Sequence, residues 1–203
     1  MKVEFWVDPI CPFCWMTSRW IVSVAEDRDL EIEWQPISLM FKNNPPEDSP
    51  FYEPTLRTLH LLRVMESARA AGHGDRLGEL YTEFGRRIHH DEQLDFDVAQ
   101  ILTDLGLDAT HAEALDDDSF DLPIHERMDE GLALVGDDVG TPIIAVDGAA
   151  GRVGLFGPVI TSMMPHEAAL KLWDGFVLMA DTPGFFELKR TRADGPDMST
   201  ITF

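Results

Sequence analysis

The chain has 203 residues, of which 44% are hydrophobic, and its 37 acidic and 16 basic side chains give a formal net charge of −21. This length suits one domain, or one domain with a large insertion, and the apolar content is sufficient for a sizeable core. The electrostatic field of a protein with this charge repels phosphate backbones and anionic lipid, which argues against nucleic acid and membrane surfaces as partners. No apolar run reaches the length of about eighteen residues that suggests a membrane span.

The start of the chain predicts a strand, a helix and a second strand. Residues 3–7 are apolar and end before Asp8-Pro9, as in a buried strand. Apolar side chains then recur at helical spacing from Pro12 to about residue 27, and residues 30–39 have strand character. This order is that of a βαβ unit.

The middle of the chain predicts mostly helix. A loop rich in proline and asparagine is followed by helical patterns, with Asp95 and Asp108 as expected N-caps. The expected helices cover residues 55–71, 76–89, 95–105, 108–115 and 124–135.

The last part of the chain returns to strands and a helix. Residues 143–146 and 153–156 predict a hairpin around Asp147-Gly148, a helix is expected at 165–180, and the final eleven residues are expected to be poorly ordered. The predicted fold class is therefore α/β, a thioredoxin-like fold with a helical insertion. Residues 1–45 and 136–203 would form the discontinuous thioredoxin-like domain, and residues 46–135 the insertion.

The two cysteines of the chain, Cys11 and Cys14, lie three residues apart where the first strand gives way to the first helix. Unpaired N–H groups and the helix dipole favour negative charge at a helix N-terminus, so we expect a Cys11 thiolate with a pKa lowered to roughly 3.5–7.5. Pro12 suits the first helical position. This pattern predicts a redox-active disulfide with Cys11 as the nucleophile and Cys14 as the resolving thiol.

Two other interpretations of the cysteine pair are weaker. Half of a zinc site would need further ligands, but there is no second cysteine pair and no histidine pair at a spacing typical of zinc ligands. Two ordinary core cysteines are disfavoured by the position between strand and helix. We therefore expect no metal and, since the chain has no glycine-rich dinucleotide loop, no bound cofactor.

A second element of the site is expected far along the chain. Thr141-Pro142 directly precedes the strand at 143–146, where thioredoxin-like folds carry a cis-proline beside the cysteine pair. The main chain of Thr141 would hold an extended substrate next to Cys11.

Several segments together resemble the DsbA-like thioredoxin-fold family, and within it the actinobacterial mycothiol-dependent reductases, also described as mycothiol-dependent nitroreductases. The resemblance covers nearly the whole length. It is carried by the segments Cys11-Pro12-Phe13-Cys14-Trp15, Phe84-Gly85-Arg86-Arg87-Ile88, Gly140-Thr141-Pro142, Phe156-Gly157-Pro158 and Phe185-Phe186-Glu187-Leu188-Lys189-Arg190-Thr191-Arg192.

The resemblance implies a cytosolic thiol–disulfide reductase that takes electrons from mycothiol, with nitroaromatic reduction as a side activity. It also implies that the helical insertion moves with the redox state and covers a cleft beside the dithiol. Its matching positions make Asn43 a neighbour of the dithiol. One departure is Phe13, where the compared relatives carry tryptophan. Together with the motif, these positions give Pro12, Phe13, Trp15, Asn43, Thr141 and Pro142 as the expected substrate-binding residues.

The N-terminus lacks the pattern of a signal peptide, so a cytoplasmic location is expected. The expected partners are low-molecular-weight thiols and disulfide substrates, with monomer and homodimer both open. Two alternative functions remain at this stage: a redox-sensing binding module switched by the dithiol, and a glutathione-linked isomerase or transferase of the same fold.

Overall fold

A computed structural model describes residues 1–149 and 151–202. Four strands form one sheet in the order β2-β1-β3-β4. β1 is parallel to β2 and antiparallel to β3, and β3 and β4 form an antiparallel hairpin. The strands are β1 (Lys2–Val7), β2 (Glu31–Pro36), β3 (Ile143–Gly148) and β4 (Gly151–Phe156). The predicted α/β class with a thioredoxin-like sheet is confirmed.

Helices surround this sheet. Those that follow β1 and β2 at the start of the chain are α1 (Pro12–Ala25) and α2 (Leu39–Asn43). The helical segment between β2 and β3 continues with α3 (Tyr52–Ala70), α4 (Leu77–His89), α5 (Val98–Asp104) and α6 (Asp121–Val135), and α7 (His166–Ala180) follows β4. Within the described residues, no helix is both long enough and apolar enough to cross a membrane.

The central strand β1 is covered on both faces. Successive side chains of a strand point to opposite faces, and the adjacent residues Phe5 and Trp6 belong to two separate apolar clusters. The cluster of Phe5 includes Trp20 of α1 and Trp173 of α7, whose ring centroids are 5.9 Å apart. Trp6 packs with α6 and donates its indole N–H to the carbonyl of Arg127 at 2.8 Å. The end of β1, where the cysteines follow, is therefore firmly held.

A buried carboxylate joins two helices of the segment between β2 and β3. Glu66 of α3 is 3% exposed and lies 2.8 Å from Arg69 and 3.0 Å from Arg127 of α6. Two guanidinium groups around one carboxylate satisfy its charge, so the ion pairs orient α3 and α6 without leaving a buried charge alone.

Three local details differ from the sequence-based expectations. The short helix α2 was not predicted; the Ser38 hydroxyl caps it by accepting the N–H of Phe41 at 3.3 Å. Asp97 caps α5 instead of Asp95, and the segment after Asp108 is a 3₁₀ helix instead of an α-helix.

The end of the chain has defined contacts although we expected poor order there. A 3₁₀ turn at Met198–Thr200 begins after Asp197, and Ile201 is buried against the core. The Thr200 hydroxyl accepts the N–H of Met163 at 2.9 Å. The prediction of a poorly ordered tail is therefore wrong for residues 197–201, because an apolar side chain and a hydroxyl anchor them.

Candidate active site

The turn between β1 and α1 places Cys11 at the N-cap of α1 and Pro12 at the first helical position. The Cys11 sulfur accepts the backbone N–H of Cys14 at 3.4 Å, a contact that one of the unpaired N–H groups of the helix start can make. The Cys11 N–H in turn donates to the carbonyl of Asp8 at 3.1 Å. These contacts hold Cys11 and Cys14 on the first turn of one helix.

Both cysteines are free thiols in this structure. The Cys11 side chain is only 9% exposed and Cys14 is fully buried. The Cys11 thiol lies 3.7 Å from the carbonyl oxygen of Thr141, and the Cys14 thiol 3.8 Å from that of Trp6. The two sulfurs are therefore in contact with backbone carbonyls that come from different parts of the chain.

The loop before β3 brings Thr141 and Pro142 to the cysteine motif. The Thr141–Pro142 peptide bond is cis. The Thr141 hydroxyl donates to the Trp6 carbonyl at 2.7 Å, which attaches this loop to the end of β1. Residues far apart in sequence thus meet at the sulfur of Cys11.

The expected low pKa of Cys11 is wrong for this conformation. Burial raises the pKa of the Cys11 thiol to about 11, and the nearby Asp8 charge acts in the same direction. The N–H groups of Cys14 and Phe13 and the charge of Arg192 lower the pKa but do not outweigh burial. The helix N-terminus is present as expected; the sequence did not show that the sulfur would be removed from water.

A buried carboxylate lies under the motif. Asp8 is fully buried and accepts the backbone N–H of Ile10 at 3.0 Å and that of Leu39 at 2.6 Å. Burial raises the pKa of Asp8 to about 6, although these two bonds and one from the Thr58 hydroxyl lower it. Asp8 thus ties the cysteine turn to α2 and α3.

The sulfur of Cys14 has a side-chain partner from α4. The Tyr81 hydroxyl donates a hydrogen bond to it at 3.6 Å, and Tyr81 is itself fully buried. Burial raises the pKa of Cys14 far above its usual range, while hydrogen bonds from the side chains of Thr141 and Tyr81 and from the backbone N–H of Asp8 lower it. Cys14 is therefore in direct contact with the helical segment between β2 and β3.

Trp15 packs between α1 and α4. It is fully buried, its indole N–H donates to Nε2 of His90 at 3.1 Å, and its ring stacks on His89 at 5.8 Å. The Arg19 guanidinium lies 4.3 Å above the Trp15 ring. The predicted substrate contact of Trp15 is not available in this conformation, because the ring is enclosed by protein.

An apolar cleft of about 340 Å³ is lined by the two chain neighbours of Cys11 and by residues of α3, α4 and the following loop. Ile10 and Pro12, which flank Cys11 in the chain, form one wall. The His89 ring donates to the carbonyl of Pro9 at 2.8 Å, and burial lowers the pKa of His89 to about 4, so this ring is neutral near neutral pH. The cleft is lined by Ile10, Pro12, Pro54, Ile88, His89, Glu92 and Leu94.

The C-terminal segment reaches the motif from the other side. The Arg192 guanidinium lies 4.6 Å from the ring centroid of Phe13, the second residue between the cysteines. Since Phe13 is half-buried, the stacked guanidinium covers part of its remaining surface. Arg192 thereby adds a positive charge near Cys11.

The structure brings most of the predicted site residues together. Pro12 lines the cleft, Phe13 lies under Arg192, and the Thr141 carbonyl lies at the sulfur of Cys11. Pro142 follows Thr141 through a cis peptide bond. Asn43, in contrast, is exposed at the end of α2 and is not a lining residue of the cleft.

Three residues of the site were not identified from the sequence. The sequence placed Asp8 directly after the first strand, Tyr81 within an expected helix, and Arg192 within a segment that carries the family resemblance, and it gave none of them a role at the site. The only sequence signal for Asp8 was its place in the turn before the cysteines. Nothing local in the sequence placed Tyr81 or Arg192 at the dithiol.

Within the described residues, no group of three or more histidine, cysteine, aspartate or glutamate side chains is arranged to hold a metal ion.

Comparison with known sequences gives one family and one curated relative. A model of the family described as "Rv2466c-like: Mycothiol-dependent nitroreductase Rv2466c" matches residues 10–190. The chain is 29% identical over 206 residues to the uncharacterized protein Rv2286c of Mycobacterium tuberculosis, with 94% of this chain and 82% of that protein covered.

Comparison with solved structures gives the same fold. The cytosolic disulfide reductase DsbM from Pseudomonas aeruginosa has a TM-score of 0.58 at 15% identity, covering 89% of this chain and 100% of that chain. SCO1869 from Streptomyces coelicolor, described as a probable DsbA oxidoreductase, has a TM-score of 0.58 at 20% identity, covering 100% and 99% of the two chains. At these identities the similarity establishes a DsbA-like thioredoxin fold.

Proposed function

This chain belongs to the Rv2466c-like family of mycothiol-dependent nitroreductases, and we propose that it is a thiol–disulfide reductase that works through Cys11 and Cys14 with mycothiol as electron donor. The observation that carries the proposal is the position of Cys11. Its sulfur caps α1, accepts the Cys14 N–H and lies next to the Thr141 carbonyl, and its chain neighbours Ile10 and Pro12 line an apolar cleft. The proposal includes a cytoplasmic location.

The proposed reaction has two steps. The Cys11 thiolate attacks a substrate disulfide, forms a mixed disulfide and releases one thiol. Cys14 then attacks the Cys11 sulfur, forms the Cys11–Cys14 disulfide and releases the second thiol. Two molecules of mycothiol reduce the protein again and leave as mycothiol disulfide, so two electrons pass from donor to substrate in each cycle.

Substrate access requires a more open conformation than the one described. Cys11 is 9% exposed and its pKa is raised to about 11, so only a small fraction is thiolate at neutral pH. Residues of α3, α4 and the following loop form the far wall of the cleft beside it. We propose that displacement of this wall, as part of residues 46–135, admits solvent and substrate to Cys11 and thereby lowers its pKa.

The charge of the cleft supports mycothiol over glutathione. Its seven lining residues include the carboxylate Glu92 but no lysine or arginine, and the protein as a whole carries a formal charge of −21. Glutathione brings two carboxylates, whereas mycothiol is a neutral, hydroxyl-rich thiol. Electrostatic repulsion therefore favours the neutral donor.

Nitroaromatic reduction, which the family description names, is proposed as a side activity. An apolar cleft next to a nucleophilic thiol would accommodate a flat aromatic ring beside Ile10 and Pro12.

A coupled assay of NADPH consumption tests the proposal. The arms are mycothiol with its reductase, glutathione with its reductase, and the thioredoxin system, each with a low-molecular-weight mixed disulfide as substrate. Turnover with mycothiol that is lost in Cys11→Ser is expected. Turnover with glutathione alone would refute the proposed donor, and no turnover with any donor would refute the reductase in favour of a redox-sensing module.

A further inference from the structure

Tyr81 contacts one of the two sulfurs that would react. Its hydroxyl donates to the Cys14 sulfur at 3.6 Å, and both residues are completely buried. The Tyr81 ring is held by stacking on Trp34 at 5.2 Å and by a tilted contact with Trp15 at 5.8 Å. The hydroxyl is therefore fixed in direction by packing on both sides of the ring.

Cys14 needs a hydrogen-bond donor at its sulfur when it loses its proton. As a thiol, Cys14 donates to the carbonyl of Trp6 at 3.8 Å. As a thiolate it has no proton to donate, and the carbonyl oxygen then faces a negative charge in a buried site, which is unfavourable. Three groups can then donate to the sulfur: the hydroxyls of Thr141 and Tyr81 and the backbone N–H of Asp8. The Thr141 hydroxyl already donates to the Trp6 carbonyl, whereas the Tyr81 hydroxyl donates to the sulfur itself.

We propose that Tyr81 is a catalytic residue of the second step, in which it stabilises the Cys14 thiolate that resolves the mixed disulfide. This inference rests on the proposed function. In this step the Cys14 sulfur forms a bond to the Cys11 sulfur, and the bond between Cys11 and the substrate sulfur breaks. The substrate leaves with the electron pair and takes up the proton that Cys14 has lost, so no other reactant is needed.

The surroundings of Tyr81 favour a protonated hydroxyl that donates a hydrogen bond to the Cys14 sulfur. Burial, and the proximity of Cys14, raise the pKa of Tyr81 well above its usual value, so the hydroxyl carries its proton at neutral pH. Arg19 is enclosed over the Trp15 ring, and its positive charge is attracted to negative charge on Cys14. A hydrogen bond to a charged sulfur is stronger than one to the neutral thiol, so Tyr81 favours the reactive form.

The two steps can be observed separately with 5,5′-dithiobis(2-nitrobenzoate). Attack by Cys11 releases the first coloured thiolate, and resolution by Cys14 releases the second. Stopped-flow traces would be recorded for the wild type, Tyr81→Phe and Thr82→Val, with Cys14→Ser to identify the first phase. Thr82→Val is the matched control, since it removes the neighbouring hydroxyl of α4, which donates to Gly78 and not to a cysteine.

Tyr81→Phe is expected to slow the second phase about tenfold or more, as for loss of a charge-assisted hydrogen bond, with the first phase changed by less than about twofold. Thr82→Val should change neither phase. An unchanged second phase in Tyr81→Phe, or an equal slowing of both phases, would overturn the role of Tyr81. A wild type that releases no first thiolate would instead refute the proposed function itself.

A second measurement keeps the inference testable if Tyr81→Phe does not fold. In a Tyr52→Phe background, Tyr81 is the one tyrosine left in the chain, so biosynthetic 3-fluorotyrosine labels it alone. Fluorine makes the phenol a stronger donor with little change in shape, and a faster second phase is expected. A second phase that is unchanged or slower would contradict the inference.

Discussion

Gly85 of α4 lies directly against the ring of Trp15: a Cβ atom at this position would be 2.3 Å from Cζ3 of the indole. Trp15 follows Cys14 in the chain, so this close approach is where α4 rests on the cysteine motif. Glycine is needed at position 85 because the Trp15 ring occupies the space that a methyl group would fill.

Gly85→Ala is therefore expected to destabilise the protein. Alanine is about 1 kcal/mol better than glycine inside a helix, but overpacking against a buried ring costs roughly 1–3 kcal/mol and requires Trp15 or α4 to move. Thermal unfolding should show a lower Tm. The matched control is Gly175→Ala in α7, where a Cβ atom meets nothing within 4 Å and a higher Tm is expected. A Gly85→Ala protein as stable as the wild type would contradict the tight contact.

The buried carboxylate of Asp8 should make folding less favourable as the pH rises. Its pKa is about 6 in the folded protein and about 3.9 in an unfolded chain, so between these values the folded state binds more protons. In Asp8→Asn this contribution disappears. The free energy of unfolding would be measured in urea at about pH 4.5 and about pH 6.5. Its change between the two pH values should be more positive in the variant than in the wild type, by roughly 2 kcal/mol. Asp48→Asn, an exposed site, is the control and should keep the wild-type slope.

His89 should act in the opposite direction over the same pH range. Its pKa is about 4 in the folded protein and about 6.5 in an unfolded chain, so the unfolded state binds more protons and stability falls on acidification. His89→Gln keeps a donor for the Pro9 carbonyl but does not titrate. Its unfolding free energy should rise less with pH than that of the wild type, and an unchanged slope would show that the pKa of His89 is the same in the folded and unfolded states.

Burial is the main cause of the raised pKa of Cys11, and two charges of opposite sign modify that pKa. Asp8 raises it and Arg192 lowers it. In a Cys14→Ser background, where Cys11 is the one remaining thiol, thiolate absorbance followed against pH gives this pKa directly. Asp8→Asn should move the midpoint to lower pH and Arg192→Gln to higher pH, whereas Arg190→Gln, which removes an exposed charge nearby in sequence, should leave it nearly unchanged. Shifts of the same sign in the first two variants would contradict the arrangement.

The sequence predicted the framework of the fold well because the strands and long helices have strong apolar periodicity. The predicted strand at 143–146 and the helix at 165–180 correspond to β3 and α7 with small changes at the ends. The short helix α2 was missed, since its five residues are too few for a helical period and its start depends on one Ser38 hydrogen bond. The segment after Asp108 had a helical pattern, but its backbone follows the tighter 3₁₀ geometry.

The candidate site was predictable only where it is local in sequence. The positions of Cys11 and Pro12 at the start of α1 follow from the spacing and the preceding strand. The contact of Tyr81 with Cys14 depends on how α4 packs, and the raised pKa of Cys11 depends on its burial. Both are properties of tertiary structure, which neither a motif nor a helix dipole determines.

The most direct test of the account is to trap the mixed disulfide that Cys11 should form. Cys14→Ser and Cys11→Ser proteins would be incubated with mycothiol disulfide and their intact masses measured. One mycothiol, removable by reductant, is expected on Cys14→Ser, where Cys11 can attack but the adduct is not resolved, and none is expected on Cys11→Ser. An absent adduct on Cys14→Ser, or equal labelling of both variants, would contradict the assignment of Cys11 as the nucleophile.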